Sequence, residues 1–407
     1  MSPFISLNSW NEPGAILQGA EPEEIVAGGP GDWDKLRDLL ARRRRTGRDS
    51  LHPQSATVGY ITYEGAFRFA WFPKISVLRE NGFSALWNER SVAARDLGAR
   101  GSEDHREKVA GAAGQGARRP EVDGDRWDSN LSREQFESIV ARAQDYIAAG
   151  DVYQVNLAQK FSSRFEGNPY RLFEHLLARS PTPGGAFLDF GDIRVLSASP
   201  ELFLRIRGRH VTTRPIKGTR PRSRDPLLDE QLAFELQTDP KELAELVMIT
   251  DLERNDLGKI CEYGSVTVTQ LVQLERFAQV HHLVSTIEGM LRPEVDALEA
   301  VRSCLPGGSI SGAPKKRACE IIRELEPCPR GIYTGLIGYF DDNGDAAFSI
   351  AIRTMIQEGE TLHFSVGSGI TAGSTPAREY DETLHKAAGM RQAVDAYGKA
   401  RQSEVLK

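Results

Sequence analysis

Two pairs of glutamates, Glu242 with Glu245 and Glu379 with Glu382, carry the clearest chemical potential in this chain. Residues three apart on a helix share a face, so each pair presents two carboxylates side by side. Four converging acids repel unless a hard cation neutralises them, and Mg²⁺, which keeps waters and takes oxygens from a substrate, is the usual solution. Thr375 and Pro376 predict a helix start just before the second pair, which places both acids near the positive end of its dipole. Either pair alone is also what a solvated helical face presents.

RPIKGTRPR, residues 214–222, sets Lys217 close in sequence to Arg214, Arg220 and Arg222. Neighbouring cations disfavour a protonated ammonium, so the spacing predicts a Lys217 amine held partly neutral and nucleophilic. A loop lysine among arginines also makes an anion-binding patch. SASPELF, residues 197–203, brings Glu201 to a strand end as a proton shuttle for a nearby nucleophile. HHLVST, residues 281–286, adds His281 and His282, only one of which faces a given side if the segment is extended.

The elements that position these residues follow from pattern. With 407 residues, 40% of them hydrophobic, the chain can fill a core. A net charge of -6 from well-mixed acids and bases implies no basic face for nucleic acid or an anionic bilayer. No run approaches the roughly twenty apolar residues of a spanning helix, and MSPFISLNSWNEPG lacks the plan of a signal peptide, so a cytoplasmic protein is expected. Cys261, Cys304, Cys319 and Cys328 are scattered, which predicts reduced thiols and no zinc or redox centre.

The stretch 94–127, rich in Gly, Ala, Arg and Glu, reads as a flexible connector between an N-terminal region, 1–93, and a catalytic domain, 128–395. The ARRRR cluster at 41–45 reads as solvated surface. After the connector, Ser132 and Gln135 form a capping box, with Phe136, Ile139, Val140, Ala143 and Ile147 on one face before Gly150. The runs VYQVNLAQKF, AFLDF, IRVLSAS, ELFLRIR, SVTVTQLV, LIGYF, FSIAIRTMI and LHFSVGSGI then predict strands joined by tight turns. The class is α+β, with antiparallel sheets packed as a sandwich and helices outside.

From 130 to 393 the chain resembles the chorismate-utilising enzymes, and among them most closely aminodeoxychorismate synthase component I. The likeness rests on ten ordered motifs: VYQVNLAQKF, SASPELF, RPIKGTRPR, AELVMITDLERNDLG, HHLVST, PGGSISGAPKKRA, YTGLIGY, AIRT, VGSGI and EYDETLHKAAG. VGYITYEG extends it loosely into the N-terminal part, where no clear tryptophan-sensing signature appears. Isochorismate and salicylate synthases place a water-activating lysine where this chain has Gln154, and an amide cannot serve as that base. Anthranilate synthases have alanine at the position of Lys217, whereas aminodeoxychorismate synthases have lysine.

The resemblance implies the chorismate-binding fold and a Mg²⁺ ion held by Glu242, Glu245, Glu379 and Glu382. It further implies that Arg353, Tyr333, Lys386, the backbone of Gly369 and Ser309 bind the substrate, with Lys217, Glu201 and His282 as catalytic groups. The implied partners are chorismate, ammonia or glutamine through a separate glutamine amidotransferase subunit, and a downstream aminodeoxychorismate lyase that completes 4-aminobenzoate for folate. AGGPGD, residues 27–32, echoes a glutaminase loop, but no cysteine follows it and no Cys–His pair accompanies it. Two other readings stay open. One is anthranilate synthase component I or a 2-amino-4-deoxyisochorismate synthase; the other is a non-catalytic homologue that binds chorismate or tryptophan and regulates a partner.

Overall fold

The computed structural model describes residues 4–12, 14–45, 51–79, 127–277 and 279–405. Apart from Trp127, the expected connector lies outside the described residues. Elements are numbered in chain order. One antiparallel sheet contains β1 (Phe4–Asn8), β2 (Ala15–Ala20), β6 (Ser76–Arg79), β7 (Asp128–Ser129), β8 (Gln154–Arg164), β9 (Gly184–Asp189), β10 (Ile193–Ser199), β16 (Gly312–Ala313), β19 (Thr354–Glu358) and β20 (Thr361–Ile370). The other contains β3 (Glu24–Gly28), β4 (Ala56–Ile61), β5 (Phe67–Phe72), β11 (Leu202–Arg207), β12 (His210–Arg214), β13 (Ile216–Pro221), β14 (Thr267–Arg276), β15 (Val280–Met290), β17 (Leu336–Asp341) and β18 (Ala346–Ile350).

Eight helices are present among the described residues: α1 (Trp33–Arg43), α2 (Arg133–Ala148), α3 (Pro169–Arg179), α4 (Pro226–Thr238), α5 (Pro240–Gly258), α6 (Ala297–Cys304), α7 (Lys315–Leu325) and α8 (Pro376–Val405). The expected capping box opens α2: the Ser132 hydroxyl accepts from the Gln135 N–H at 3.2 Å, and Gln135 Oε1 accepts from the Ser132 N–H at 2.8 Å.

Period-two alternation explains why the sheets stack. Leu7, Leu188, Val195 and Ile356 from the first sheet meet Val58, Phe72, Ile337 and Tyr339 from the second in one buried cluster. The alternate residues face helices. Phe69, Trp71, Leu336 and Phe340 pack with Leu36 and Leu39 of α1 and Leu298 and Val301 of α6. Phe161, Phe187, Leu196 and Phe364 pack with Leu172 of α3 and Met390 and Val394 of α8. The expected α+β sandwich with helices outside is the architecture found.

The strands before the connector make no sheet of their own, since β1, β2 and β6 continue the first sheet and β3, β4 and β5 continue the second. The arginine cluster is the solvated surface expected of it, with Arg42, Arg44 and Arg45 exposed and Arg43 half-buried. Arg42 and Arg43 bind Glu24, Arg43 also lies over the Trp71 ring at 3.7 Å, and the Arg45 N–H donates to the Asp342 carbonyl at 2.8 Å.

Of its several crossings between the sheets, the chain makes two at adjoining places. It leaves the first sheet after β10 and enters the second at β11, and it makes the reverse crossing between β18 and β19. Because β10 pairs with β19 and β11 with β18, the two crossings lie side by side.

Candidate active site

Each of the two adjoining crossings delivers one candidate residue. Glu201 follows Pro200 at the first, is 4% exposed, and its backbone carbonyl accepts from the Ile350 N–H at 3.1 Å. Arg353 stands at the second with φ +48°, a conformation that costs a non-glycine residue about 1–3 kcal/mol and is kept where surrounding structure enforces it. Its carbonyl accepts from the Ala198 N–H at 3.0 Å, which ties the two crossings together. Burial pushes the Glu201 carboxyl above the ordinary carboxylate range, against the pull of Ser309, Lys217 and Arg353 beside it.

Lys217 enters from β13. The strand slips register against β15 between Lys217 and Thr219, and Gly218 takes φ +73°, which a side chain would strain. The Glu242 carboxylate lies 3.2 Å from the position a Cβ would occupy on Gly218. Lys217 Nζ donates to the Ser309 carbonyl at 3.1 Å. Burial lowers its pKa, while Glu245 and Glu201 oppose that shift and Lys386 reinforces it.

The amine is therefore disposed to neutrality as expected, but not for the reason expected. The three neighbouring arginines are held by other acids: Arg214 by Glu275, Arg220 by Asp239 at 2.9 Å, and Arg222 by Asp229 at 2.9 Å. Desolvation replaces local positive charge as the cause.

The four glutamates come from two helix N-terminal regions. Asp239 caps α5, accepting from the N–H groups of Lys241 and Glu242, so Glu242 and Glu245 lie in its first two turns. Pro376 opens α8, where the Glu379 N–H donates to the Thr375 carbonyl at 3.0 Å. Glu245 has its pKa raised, first by burial and then by the charges of Glu242 and Glu382, while Lys217 and Lys241 oppose. Glu382 of the second pair therefore acts electrostatically on Glu245 of the first.

Protein groups hold each acid. Glu242 lies 3.5 Å from Arg220, Glu245 lies 3.8 Å from Lys241, Glu382 pairs with Lys386 at 2.8 Å, and Glu379 accepts from the Ser368 hydroxyl. Among the described residues, no three acid, histidine or cysteine side chains form a group that could hold a metal ion. The donor set nonetheless suits a hard cation chemically, because it offers only carboxylate oxygens and its members repel one another. Side-chain movement away from Arg220, Lys241 and Lys386 would be needed for a shared ion.

The remaining residues line the space between. Lys386 Nζ also donates to the Gly367 carbonyl at 2.9 Å. Ser309 lies beside Glu201, yet its buried hydroxyl has no well-formed hydrogen bond. His282 Nδ1 lies 3.2 Å from the Gly218 carbonyl and 3.0 Å from Thr219 Oγ1, which places the proton on Nδ1. Its buried Nε2 is then an acceptor without a partner. Burial, with the Arg353 charge, lowers the His282 pKa to about 4, so the ring is neutral.

Tyr333 is buried under the Arg330 guanidinium, 5.9 Å from its ring centre, and Gly369 lies against the Gln154 amide. Direct contacts or shared fields thus link Lys217, Glu201, Ser309, Arg353, His282, Glu245, Glu382 and Lys386. Glu242 and Glu379 stand on the same helices as Glu245 and Glu382, whereas Gly369 is in β20 and Tyr333 lies in the turn before β17.

Sequence reasoning missed Asn156, Ser368 and Glu253. Glu253 sits two turns beyond Glu245 on α5, is buried, and accepts from the Thr213 hydroxyl at 2.6 Å. Burial pushes its pKa up from 4.5 to about 8. A neutral buried acid contributes stability that is complete below 4.5 and lost as pH rises through about 8. Glu253→Gln, which keeps an acceptor for Thr213, should therefore gain in melting temperature relative to the parent between pH 6 and pH 9. Thermal melts at both pH values check this, and a gap that stays constant would refute it.

An α+β enzyme with its candidate site at the seam of two antiparallel sheets is the class these features define. Residues 10–392 match the model of the chorismate binding enzyme, and the chain belongs to that family. It is 48% identical over 269 residues to anthranilate synthase component 1 of Streptomyces coelicolor, covering 66% of this chain and 53% of that protein. The chain spans about half the length of the curated relatives it matches.

The crystal structure of anthranilate synthase component I from Streptococcus pneumoniae matches with a TM-score of 0.75 at 30% identity, covering 93% of this chain and 92% of that one. The menaquinone-specific isochorismate synthase of Escherichia coli shares the fold, with a TM-score of 0.71 at 19% identity over 96% of this chain and 88% of that one. The family-level expectation is met, while the Streptomyces coelicolor and Streptococcus pneumoniae relatives carry the name of the alternative reading, anthranilate synthase. Among the described residues, no helix is long and apolar enough to cross a membrane.

Proposed function

We propose that this chain is an aminodeoxychorismate synthase component I, converting chorismate and ammonia to 4-amino-4-deoxychorismate. The observation that carries the reading is Lys217 itself: a desolvated amine beside a buried acid whose pKa is raised, in a family whose ortho-aminating members resemble this chain but have alanine there. The neutral Lys217 amine bonds to carbon 2 of the ring, the double bonds shift, and the hydroxyl on carbon 4 leaves as water with the proton of Glu201. Ammonia then bonds to carbon 4, the double bonds return and the Lys217 amine is released. The new ammonium gives one proton back to Glu201, so the acid and the amine end as they began.

Arg353 offers a planar fork for the pyruvyl carboxylate, with Tyr333, Lys386, Ser309 and the Gly369 backbone around it. His282, neutral, accepts a hydrogen bond through Nε2. Glu242, Glu245, Glu379 and Glu382 would hold Mg²⁺, which would supply positive charge for a substrate carboxylate. Ammonia comes from a glutamine amidotransferase subunit, and a lyase consumes the product. The setting is cytoplasmic.

The names of the relatives favour a second reading, anthranilate synthase component I, in which nitrogen adds at carbon 2. Product analysis separates the two. With chorismate, Mg²⁺ and an ammonium salt, the proposal expects 4-aminobenzoate only after aminodeoxychorismate lyase is added. Fluorescent anthranilate formed without lyase would sink it, and binding of chorismate without turnover would favour the regulatory homologue.

A further inference from the structure

The turn that brings Tyr333 to the site is strained and held from two sides. Thr334, next to Tyr333, takes φ +59°, in the left-handed region that β-branched residues rarely adopt. Its N–H donates to the Ala351 carbonyl at 2.8 Å and its hydroxyl to the Tyr333 carbonyl at 2.6 Å. Such a conformation persists only where the surroundings enforce it.

From inside, the enforcing group is Arg330, whose side chain is 2% exposed. Every guanidinium nitrogen is engaged. Nε binds Glu326 at 3.0 Å, Nη1 binds the Ile310 carbonyl at 2.9 Å and the Thr334 hydroxyl at 3.3 Å, and Nη2 binds the Asn156 carbonyl at 2.8 Å and Glu326 at 2.7 Å. The rigid fork thereby ties the turn to β8 and to the residue after Ser309.

From outside, the grip comes from the part of the chain that precedes residues 94–127. Because β4 pairs with β17 and sets Ile61 against Leu336, the turn after β4 lies beside the turn before β17. The Tyr63 N–H donates to the Gly331 carbonyl at 2.8 Å, and the Arg330 guanidinium lies over the Tyr63 ring at 4.7 Å. Glu64 Oε1 accepts from the N–H groups of Arg330, at 2.9 Å, and Gly331, at 3.4 Å. Glu64 is itself exposed, so these contacts act on the backbone of the turn without filling any core.

We propose that Glu64 is a positioning residue for the substrate pocket, acting through the backbone of residues 330 and 331 to fix the ring of Tyr333. That ring ends with its hydroxyl 3.0 Å from the point a Cβ would take on Gly367, whose carbonyl accepts from Lys386 at 2.9 Å. Without the carboxylate the two N–H groups turn to water, the outer grip is lost, and Tyr333 samples a wider range of positions. The assignment rests on the reading of Tyr333 as a group that binds chorismate.

At saturating ammonium, Glu64→Ala should raise the KM for chorismate about tenfold, the scale of one charge-assisted hydrogen bond, and leave kcat within about twofold of the parent. Glu64→Gln keeps the Oε1 acceptor and should recover most of the parent KM. A contact that only supported the fold would instead reduce the active fraction, lowering kcat at constant KM. That result, or no change in either constant, or a glutamine variant as impaired as the alanine variant, overturns the proposal. Should Glu64→Ala fail to fold, Glu64→Ser carries the same comparison. Tyr333→Phe separates the two levels of the argument: if it leaves the chorismate KM at the parent value, the placement of Tyr333 against the substrate falls and this proposal with it. If Tyr333→Phe raises the KM and Glu64→Ala does not, this proposal alone falls.

Discussion

Lys217→Ala is expected to lower kcat/KM for ammonium-dependent consumption of chorismate about a thousandfold, because it deletes the group that bonds to the ring. Stability should change little. The side chain makes one hydrogen bond, to the Ser309 carbonyl, and its burial disfavours the charged form, so removal relieves a desolvated amine at the loss of about 1 kcal/mol. Lys217→Arg sharpens the test. It restores a cation near Glu245 and Glu201 but cannot act as a neutral nucleophile. If the arginine variant is as inactive as the alanine variant, covalent attack is supported; if it regains the parent rate, the lysine acts only as a charge. Direct amination at carbon 2 predicts that Lys217→Ala keeps turning over, so persistent activity would move the assignment to anthranilate synthase.

Much of the frame was legible because it depends on local pattern. The run VYQVNLAQKF leads into β8, SVTVTQLV leads into β14, and LHFSVGSGI becomes β20. FSIAIRTMI looked like one strand and is two. Arg353 turns the chain at positive φ, and β18 and β19 end in different sheets. Nothing local in that run marks a crossing, because the force that splits it is pairing with β11 on one side and β10 on the other, both more than 140 residues earlier.

The same limit applies to the site. Glu201, Lys217 and the glutamate pairs were visible as residue types at chemical spacings. The partners of Arg214, Arg220 and Arg222 were not, since Glu275, Asp239 and Asp229 reach them through tertiary packing. Charge proximity in sequence therefore suggested the wrong cause for a neutral Lys217. Asn156 escaped notice for a related reason: an asparagine in a strand carries no signal until its oxygen is found buried and unpaired.

Glu201→Gln should reduce kcat about 10²- to 10⁴-fold, the usual contribution of a positioned general acid, with little change in chorismate binding. An amide keeps the shape and polarity of the side chain but has no proton to give the departing hydroxyl. The pH profile adds a second readout. Lys217, whose pKa is lowered by burial, becomes competent as it loses its proton, so activity rises with pH through its titration. Glu201, whose pKa is raised by burial, is competent while it keeps its proton, so activity falls as pH passes through its own. The product of the two conditions is a bell, with apparent values that belong to the pair because each charge acts on the other. Removing the acid removes only the second condition, so the residual activity of Glu201→Gln should rise with pH and then stay level. A variant that retains the alkaline fall would place the proton donor elsewhere. Glu253, pushed up to about 8 by burial with the Glu201 charge adding to the rise, is then the next residue to test.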